Sequence, residues 1–191
     1  MKYTQLNNTD LNISPICLGT AGFGDKLDQE KSFEVLNAFV RAGGNFIDTA
    51  NVYCKWLEGH GNCSEQIIGK WLKERGAEGK VIVATKGAHY SFENPGRSRV
   101  NREDIRADLD ESCRTLGMDV IDFYWLHRDD PEKPVEEITD ILEELQKEGR
   151  IRYFGFSNYR TERLKEIQKC LTERNHPGIV AVSNQWSLAG I

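Results

Sequence analysis

The sequence predicts an α/β protein in which repeated βα units build a parallel sheet. Short apolar runs recur at intervals of about 30 to 40 residues, and a longer amphipathic stretch follows each of the first five. Polar and titratable residues also stand where those strands should end, which in a parallel βα protein is one common face.

The chain opens with Tyr3 to Leu6 and Leu11 to Ile13 on either side of Asn7-Asn8, a pattern for a small hairpin that would cover one end of the sheet. Six core strands are expected over Ile16 to Leu18, Asn45 to Asp48, Val81 to Thr85, Ile121 to Leu126, Ile151 to Phe156 and Val180 to Gln185. The segments between them carry helical periodicity. Phe33, Leu36, Phe39 and Val40 mark the first helix, and Ile67, Ile68, Trp71 and Leu72 the second. Ile105, Leu109 and Leu116 mark the third, and Leu164, Ile167 and Leu171 the fifth. Local punctuation agrees: Asn101 is placed to cap the third helix, Pro134 fits the first turn of the fourth, and Gly149 fits just beyond its end.

No linker or low-complexity stretch divides the 191 residues, so 1–191 is expected to form a single domain. With 39% hydrophobic and 29% charged residues the composition is that of a soluble globular protein. No stretch approaches the roughly 20 apolar residues of a membrane span, and the stretch from Met1 to Leu11 lacks the basic and apolar regions of a signal peptide. A cytoplasmic protein is expected. Cys17, Cys54, Cys63, Cys113 and Cys170 form an odd, scattered set with no framework spacing, which suits free thiols in a reducing compartment. The net charge of -5 comes from interspersed acidic and basic residues, so there is no basic stripe for nucleic acid.

Repeated βα units fit either a doubly wound open sheet or a closed eight-stranded βα barrel. The first would normally carry G-x-G-x-x-G after its first strand, and that fingerprint is absent. The nearest cluster, Gly19-Thr20-Ala21-Gly22-Phe23-Gly24, has the wrong order and is followed by a polar turn. The strand-end residues are Asp48, Lys86, His127, Ser157 with Asn158, and Gln185. Any one of them alone reads most simply as a polar strand terminus. Their repetition at strand after strand points instead to a site on the face that carries the loops after the strands.

Four ordered motifs make the pattern specific. Gly44-Asn45-Phe46-Ile47-Asp48-Thr49-Ala50-Asn51-Val52-Tyr53 supplies an aspartate and a tyrosine, Ala84-Thr85-Lys86 a lysine, Asp122-Phe123-Tyr124-Trp125-Leu126-His127 a histidine, and Gly155-Phe156-Ser157-Asn158-Tyr159 a polar strand end. In these motifs, from about Ile16 to Trp186, the chain resembles the aldo-keto reductases. The resemblance implies a parallel (β/α)8 barrel and a nicotinamide-dependent carbonyl reductase, with Asp48, Tyr53, Lys86 and His127 as its catalytic tetrad.

The chemistry fits those residue types. Reducing a carbonyl takes a hydride from a nicotinamide and a proton for the developing alkoxide, so an acid must stand beside that oxygen. Tyr53 is the expected acid, eased in giving up its proton by the Lys86 ammonium, with Asp48 holding Lys86 charged and in place. His127 would hydrogen-bond the substrate oxygen. The resemblance further implies that Ser157, Asn158 and Gln185 bind the nicotinamide carboxamide, with Asp48 bordering the cofactor and Gly19 and Thr20 approaching it through their backbone. NADP(H) is the implied cofactor and NAD(H) the alternative. Phe23, Trp56, Tyr90 and Arg128 are expected to border the same mouth as substrate-binding residues. Cys54, His60 and Cys63 crowd one loop, but their spacing matches no standard zinc site and no metal is expected.

A complete barrel of this kind has eight strands in roughly 250 residues. This chain stops just after its sixth expected strand, so the sequence reads as a barrel truncated before its seventh and eighth βα units. The expectation is exposed barrel edges that favour self-association. The leading function is reduction of an aldehyde or ketone to its alcohol. The alternative is a catalytically silent binding or assembly module, or an inactive fragment.

Overall fold

The computed structural model describes residues 1–77 and 79–187. The chain opens with a hairpin in which β1 (Thr4–Gln5) pairs antiparallel with β2 (Asn12–Ile13). It continues through β3 (Cys17–Gly19), α1 (Gln29–Arg41), β4 (Phe46–Asp48), α2 (Cys63–Arg75), β5 (Ile82–Gly87) and α3 (Arg102–Leu116). β6 (Ile121–Leu126), α4 (Val135–Lys147), β7 (Ile151–Ser157), α5 (Thr161–Glu173) and β8 (Val182–Ser183) follow. Strands β3 to β8 form one six-stranded sheet in chain order, every neighbouring pair parallel. The sheet curls as an incomplete barrel, as the sequence predicts.

Each helix starts and stops for local reasons. Asp28 accepts the Lys31 amide at 2.8 Å to begin α1, and Asn101 accepts the Asp104 amide at 3.0 Å to begin α3. α3 ends at Gly117, whose φ of 70° is the left-handed turn-off that glycine adopts without strain. Pro134 stands one place ahead of its expected position, as the cap residue of α4.

The alternation of side chains along the strands separates two apolar layers. Ile47, Val83, Tyr124, Leu126, Phe154 and Phe156 pack outward against helix residues such as Leu36, Ile68, Leu109, Leu142 and Ile167. Phe46, Ala84, Phe123 and Trp125 pack on the inner face, where Leu11 of the hairpin joins them, with Leu6 and Ile13 beside it. Burying each large apolar side chain contributes roughly 1.5–3 kcal/mol, so both layers matter. α2 approaches α3 closely at Gly69, where a Cβ would run into the Thr115 carbonyl oxygen.

The sixth expected strand is the one that changes most, from Val180 to Gln185 down to Val182–Ser183. The ladder stops because the Asn184 side chain replaces it: its amide donates to the Tyr159 carbonyl at 2.8 Å and its oxygen accepts the Tyr159 amide at 3.2 Å. Among the described residues no helix is long and apolar enough to cross a membrane.

Candidate active site

The register aligns Gly19 with Asp48 and Lys86 with Trp125 across neighbouring strands, placing Asp48 and Lys86 on one face of the sheet. Beyond β4 the chain stays close to β5, with the Thr49 amide on the Ala84 carbonyl at 2.9 Å and the Asn51 amide on the Lys86 carbonyl at 3.0 Å. A turn closed by the Tyr53 amide on the Ala50 carbonyl, 3.1 Å, then brings Tyr53 back over the strand end. His127 follows β6 directly, its amide donating to the Gly87 carbonyl at 2.9 Å.

Lys86 is the hub. Its ammonium donates to Asp48 Oδ2, to the Thr49 carbonyl at 2.7 Å and to the Tyr53 hydroxyl oxygen at 3.1 Å. Three donors meet three acceptors, and the side chain is only 3% exposed, so the charge is fixed in position. Burial pushes the Asp48 carboxyl up from the usual carboxylate range, while the Lys86 ammonium opposes that shift. The Tyr53 oxygen accepts from Lys86, which leaves its own O–H free to donate elsewhere.

His127 lies edge-on to Tyr53, with ring centroids 6.0 Å apart. Burial, reinforced by Lys86, His89 and Arg128, holds its imidazole down to about 2, so the ring is neutral and keeps one N–H to donate. Among the described residues Asp48 Oδ1, Trp125 Nε1, His127 Nδ1 and Arg128 Nε are buried without a hydrogen-bond partner. Asp48 and His127 thus have unused polar capacity beside the Lys86 hub.

A wall of rings borders these groups. Trp56 meets Tyr53 at 6.2 Å and Phe92 at 6.4 Å, Phe92 meets Tyr90 at 5.8 Å, and the Arg128 guanidinium lies 5.8 Å from the Tyr90 ring. The loop after β5 that carries His89, Tyr90 and Phe92 is held by α3. Asp108 accepts the Ala88 amide at 2.9 Å, and Arg99 bridges from Asp108, 2.6 Å, to the His89 carbonyl, 3.2 Å. Between this loop, α3 and the Tyr53 turn runs a cleft of about 540 Å³, lined by Asn51, Lys55, His89, Tyr90 and Glu111 among others, which reaches Lys86.

The structure therefore brings Asp48, Tyr53, Lys86 and His127 together, with Trp56, Tyr90 and Arg128 around them. At the end of β7 the Ser157 hydroxyl donates to the Ser183 carbonyl at 2.9 Å. The Asn158 amide donates to the His127 carbonyl at 3.0 Å and to Ser157 Oγ at 3.1 Å. Gln185 is exposed beyond β8. Gly19 opposes Asp48 with open space where a Cβ would stand. Thr20 turns inward: its amide and hydroxyl both donate to the Asp48 carbonyl, at 3.0 and 2.9 Å, and its own carbonyl accepts from Ser64.

Phe23 departs from its expected place at the mouth. It is 2% exposed in the outer core, because the Gly22–Leu27 turn, closed by the Leu27 amide on the Gly22 carbonyl at 2.9 Å, folds it inward. His89, Phe92 and Trp125 border the site as well, beyond the residues that the sequence motifs single out. The signal for the first two was a cluster of rings, His89-Tyr90 and Phe92, straight after the lysine strand. For Trp125 it was the strand alternation that sets it two places before His127, on the face of Lys86.

The sequence profile described as the Aldo/keto reductase family matches residues 15–189. An uncharacterized oxidoreductase of Bacillus subtilis, YrpG, is 34% identical over 98% of this chain and 59% of its own length. The aldo-keto reductase YhdN of the same organism is 36% identical over 86% of this chain and 49% of its own. The aryl-alcohol dehydrogenase [NADP(+)] of Phanerodontia chrysosporium is 35% identical over 78% and 41%. The chain thus spans about half the length of these relatives. With its parallel sheet and the polar strand ends gathered at one rim, the chain belongs to the aldo/keto reductase family.

Proposed function

We propose that the protein reduces an aldehyde or ketone to its alcohol, with Tyr53 as general acid. The observation that carries this reading is the Lys86 ammonium, tied to Asp48 and the Thr49 carbonyl and placed 3.1 Å from the Tyr53 oxygen. Held there, its charge favours the phenolate that remains once Tyr53 has given its proton to the substrate oxygen. The neutral His127 donates its N–H to the same oxygen and fixes the direction of the carbonyl. Trp56, Tyr90 and Phe92 shield that oxygen from water and favour a flat, aromatic substrate, with Arg128 beside them for a polar substituent.

The rim fits a nicotinamide. Open space over Gly19, the acceptor oxygens that Ser157 and Asn158 retain, and the exposed amide of Gln185 offer donors and acceptors suited to its carboxamide. When bound, it supplies the hydride. NADPH is the favoured form, because NADP is named for the Phanerodontia chrysosporium relative. Aromatic carbonyls are the favoured substrates, given the ring wall and the relative named aryl-alcohol dehydrogenase.

The test is reduction of nitrobenzaldehyde followed by loss of NADPH absorbance. Tyr53→Phe should lower kcat by roughly 10²–10⁴-fold and leave NADPH binding, read by its fluorescence, unchanged. An undiminished rate would remove Tyr53 from the chemistry.

A further inference from the structure

Cys54 and Cys63 take no part in the proposed reduction, yet they meet beside it. Cys54 directly follows Tyr53, is 0% exposed, and holds a φ of 77°, a left-handed conformation uncommon for a residue with a side chain. Its thiol donates to the Phe23 carbonyl at 3.0 Å. Cys63 is the first residue of α2, is partly exposed, and has its sulfur 3.5 Å from His60 Nδ1. Both side chains flank one point: a Cβ on Gly24 would lie 2.5 Å from Cys63 Cβ and 3.3 Å from Cys54 Sγ. Gly24, with no Cβ and a φ of +82°, is what lets the two close on each other.

The two thiols are unequal. Cys63 has a helix N-terminus beneath it, a ring nitrogen able to take its proton, and access to solvent, the setting in which a cysteine reacts. Burial, and then the neighbouring Cys63, pushes the Cys54 thiol up to about 11, so it stays protonated until a partner sulfur arrives. One exposed thiol with a base and one buried neighbour are the parts of an attacking and a resolving cysteine.

We propose that Cys63 and Cys54 are an oxidation site for hydrogen peroxide, forming a disulfide that draws Tyr53 away from Lys86. His60 takes the Cys63 proton and the thiolate attacks one peroxide oxygen. The O–O bond breaks, hydroxide leaves and takes up a proton as water, and Cys63 becomes a sulfenic acid. Cys54 then attacks that sulfur; the S–S bond forms, the S–O bond breaks, and the Cys54 proton leaves with the oxygen as a second water. Two thiols are oxidised and one peroxide is reduced to two waters.

Closing the bond takes Cys54 Sγ off the Phe23 carbonyl. The turn around it is tight, with the Tyr53 amide on the Ala50 carbonyl at 3.1 Å and the Leu57 amide on the Cys54 carbonyl at 2.9 Å, so displacement at Cys54 passes to Tyr53. The chemical half of the proposal stands on the thiol geometry alone. The effect on turnover rests on the reading of Tyr53 as the acid.

The experiment treats the reduced protein with hydrogen peroxide, blocks remaining thiols with iodoacetamide, and digests with trypsin. Cleavage after Arg41, Lys55 and Lys70 puts Cys54 and Cys63 on separate peptides, so their disulfide appears as one linked mass. That peptide is expected in the wild type and absent in Cys63→Ser. Cys54→Ser should accumulate Cys63 sulfenic acid that dimedone traps, and His60→Gln should slow its formation several-fold. The oxidised wild type should lose at least about tenfold in nitrobenzaldehyde reduction and recover with dithiothreitol, while Cys63→Ser keeps its rate. Failure to find the linked peptide overturns the site, and a linked peptide with full activity overturns its hold on Tyr53. A reduced protein without activity defeats the reductase reading only, because the linked peptide is read without turnover.

Discussion

The imidazoles of His89 and His127 meet edge to face, with ring centroids 4.8 Å apart. Both rings are more than nine-tenths buried, and burial is the first cause that holds each below the ordinary histidine value. His127, at about 2, should give no titrating ring resonance between pH 5 and 8 by proton NMR. The stability consequence has a definite sign. An unfolded histidine takes up its proton near ~6.5 and the folded one does not, so His127 favours the fold above that pH and disfavours it progressively below. The unfolding free energy from denaturant melts should fall on acidification below pH 6.5 by up to about 1.4 kcal/mol per pH unit. That slope should shrink in His127→Gln, and an unchanged slope would mean the buried ring is already charged.

Lys86→Met should abolish turnover and also destabilise the protein. It leaves the Asp48 carboxyl, one of whose oxygens has no other partner, without its counter-charge. Breaking a buried pair in this way costs about 3 kcal/mol. Adding Asp48→Asn should recover most of the stability and none of the activity. Urea unfolding of the single and double variants measures the first, and nitrobenzaldehyde reduction the second.

Gly69→Ala tests the contact of α2 with α3. A Cβ there meets the Thr115 carbonyl oxygen and lies 3.0 Å from Leu116 Cα, both backbone atoms that move only if the helices separate. Alanine gains about 1 kcal/mol in helix propensity, while overpacking costs about 1–3 kcal/mol. The net expectation is a loss of about 1 kcal/mol in urea unfolding, and a gain would show that the helices have slack.

Asp108→Ala should act on substrate binding from a distance. Asp108 is 4% exposed and holds both the Ala88 amide and Arg99, which in turn holds the His89 carbonyl. Releasing that loop should raise KM for aromatic aldehydes severalfold while changing kcat little, with a stability loss of about 2 kcal/mol. Equal effects on kcat and KM would place the loop nearer the chemistry.

What the sequence disclosed and what it hid follow one division. Asp48, Lys86 and His127 stand at ends of strands whose apolar runs are local signals, so their convergence follows once the strands lie in chain order. Phe23 was misplaced because its burial depends on a turn closed by backbone hydrogen bonds between Gly22 and Leu27, which no side-chain pattern announces. The ring wall at His89 and Phe92 is not legible in the sequence, because the path of that loop is set by Asp108, about twenty residues downstream on α3. The final strand is shorter than its apolar run suggests, because nothing in its composition says that Asn184 turns its amide to Tyr159.

The opening hairpin also bears on the order in which the molecule is made. Leu6, Leu11 and Ile13 rest on inner-face residues that include Phe123 and Tyr153, and the Asp10 amide donates to the Tyr153 hydroxyl, 143 positions later in the chain. A ribosome adding about 5–20 residues per second takes on the order of ten seconds to pass from the hairpin to the strands that seat it. The polar edge of Asn7, Asn8 and Asp10 keeps that waiting segment in water, and it can dock only after β6 and β7 exist.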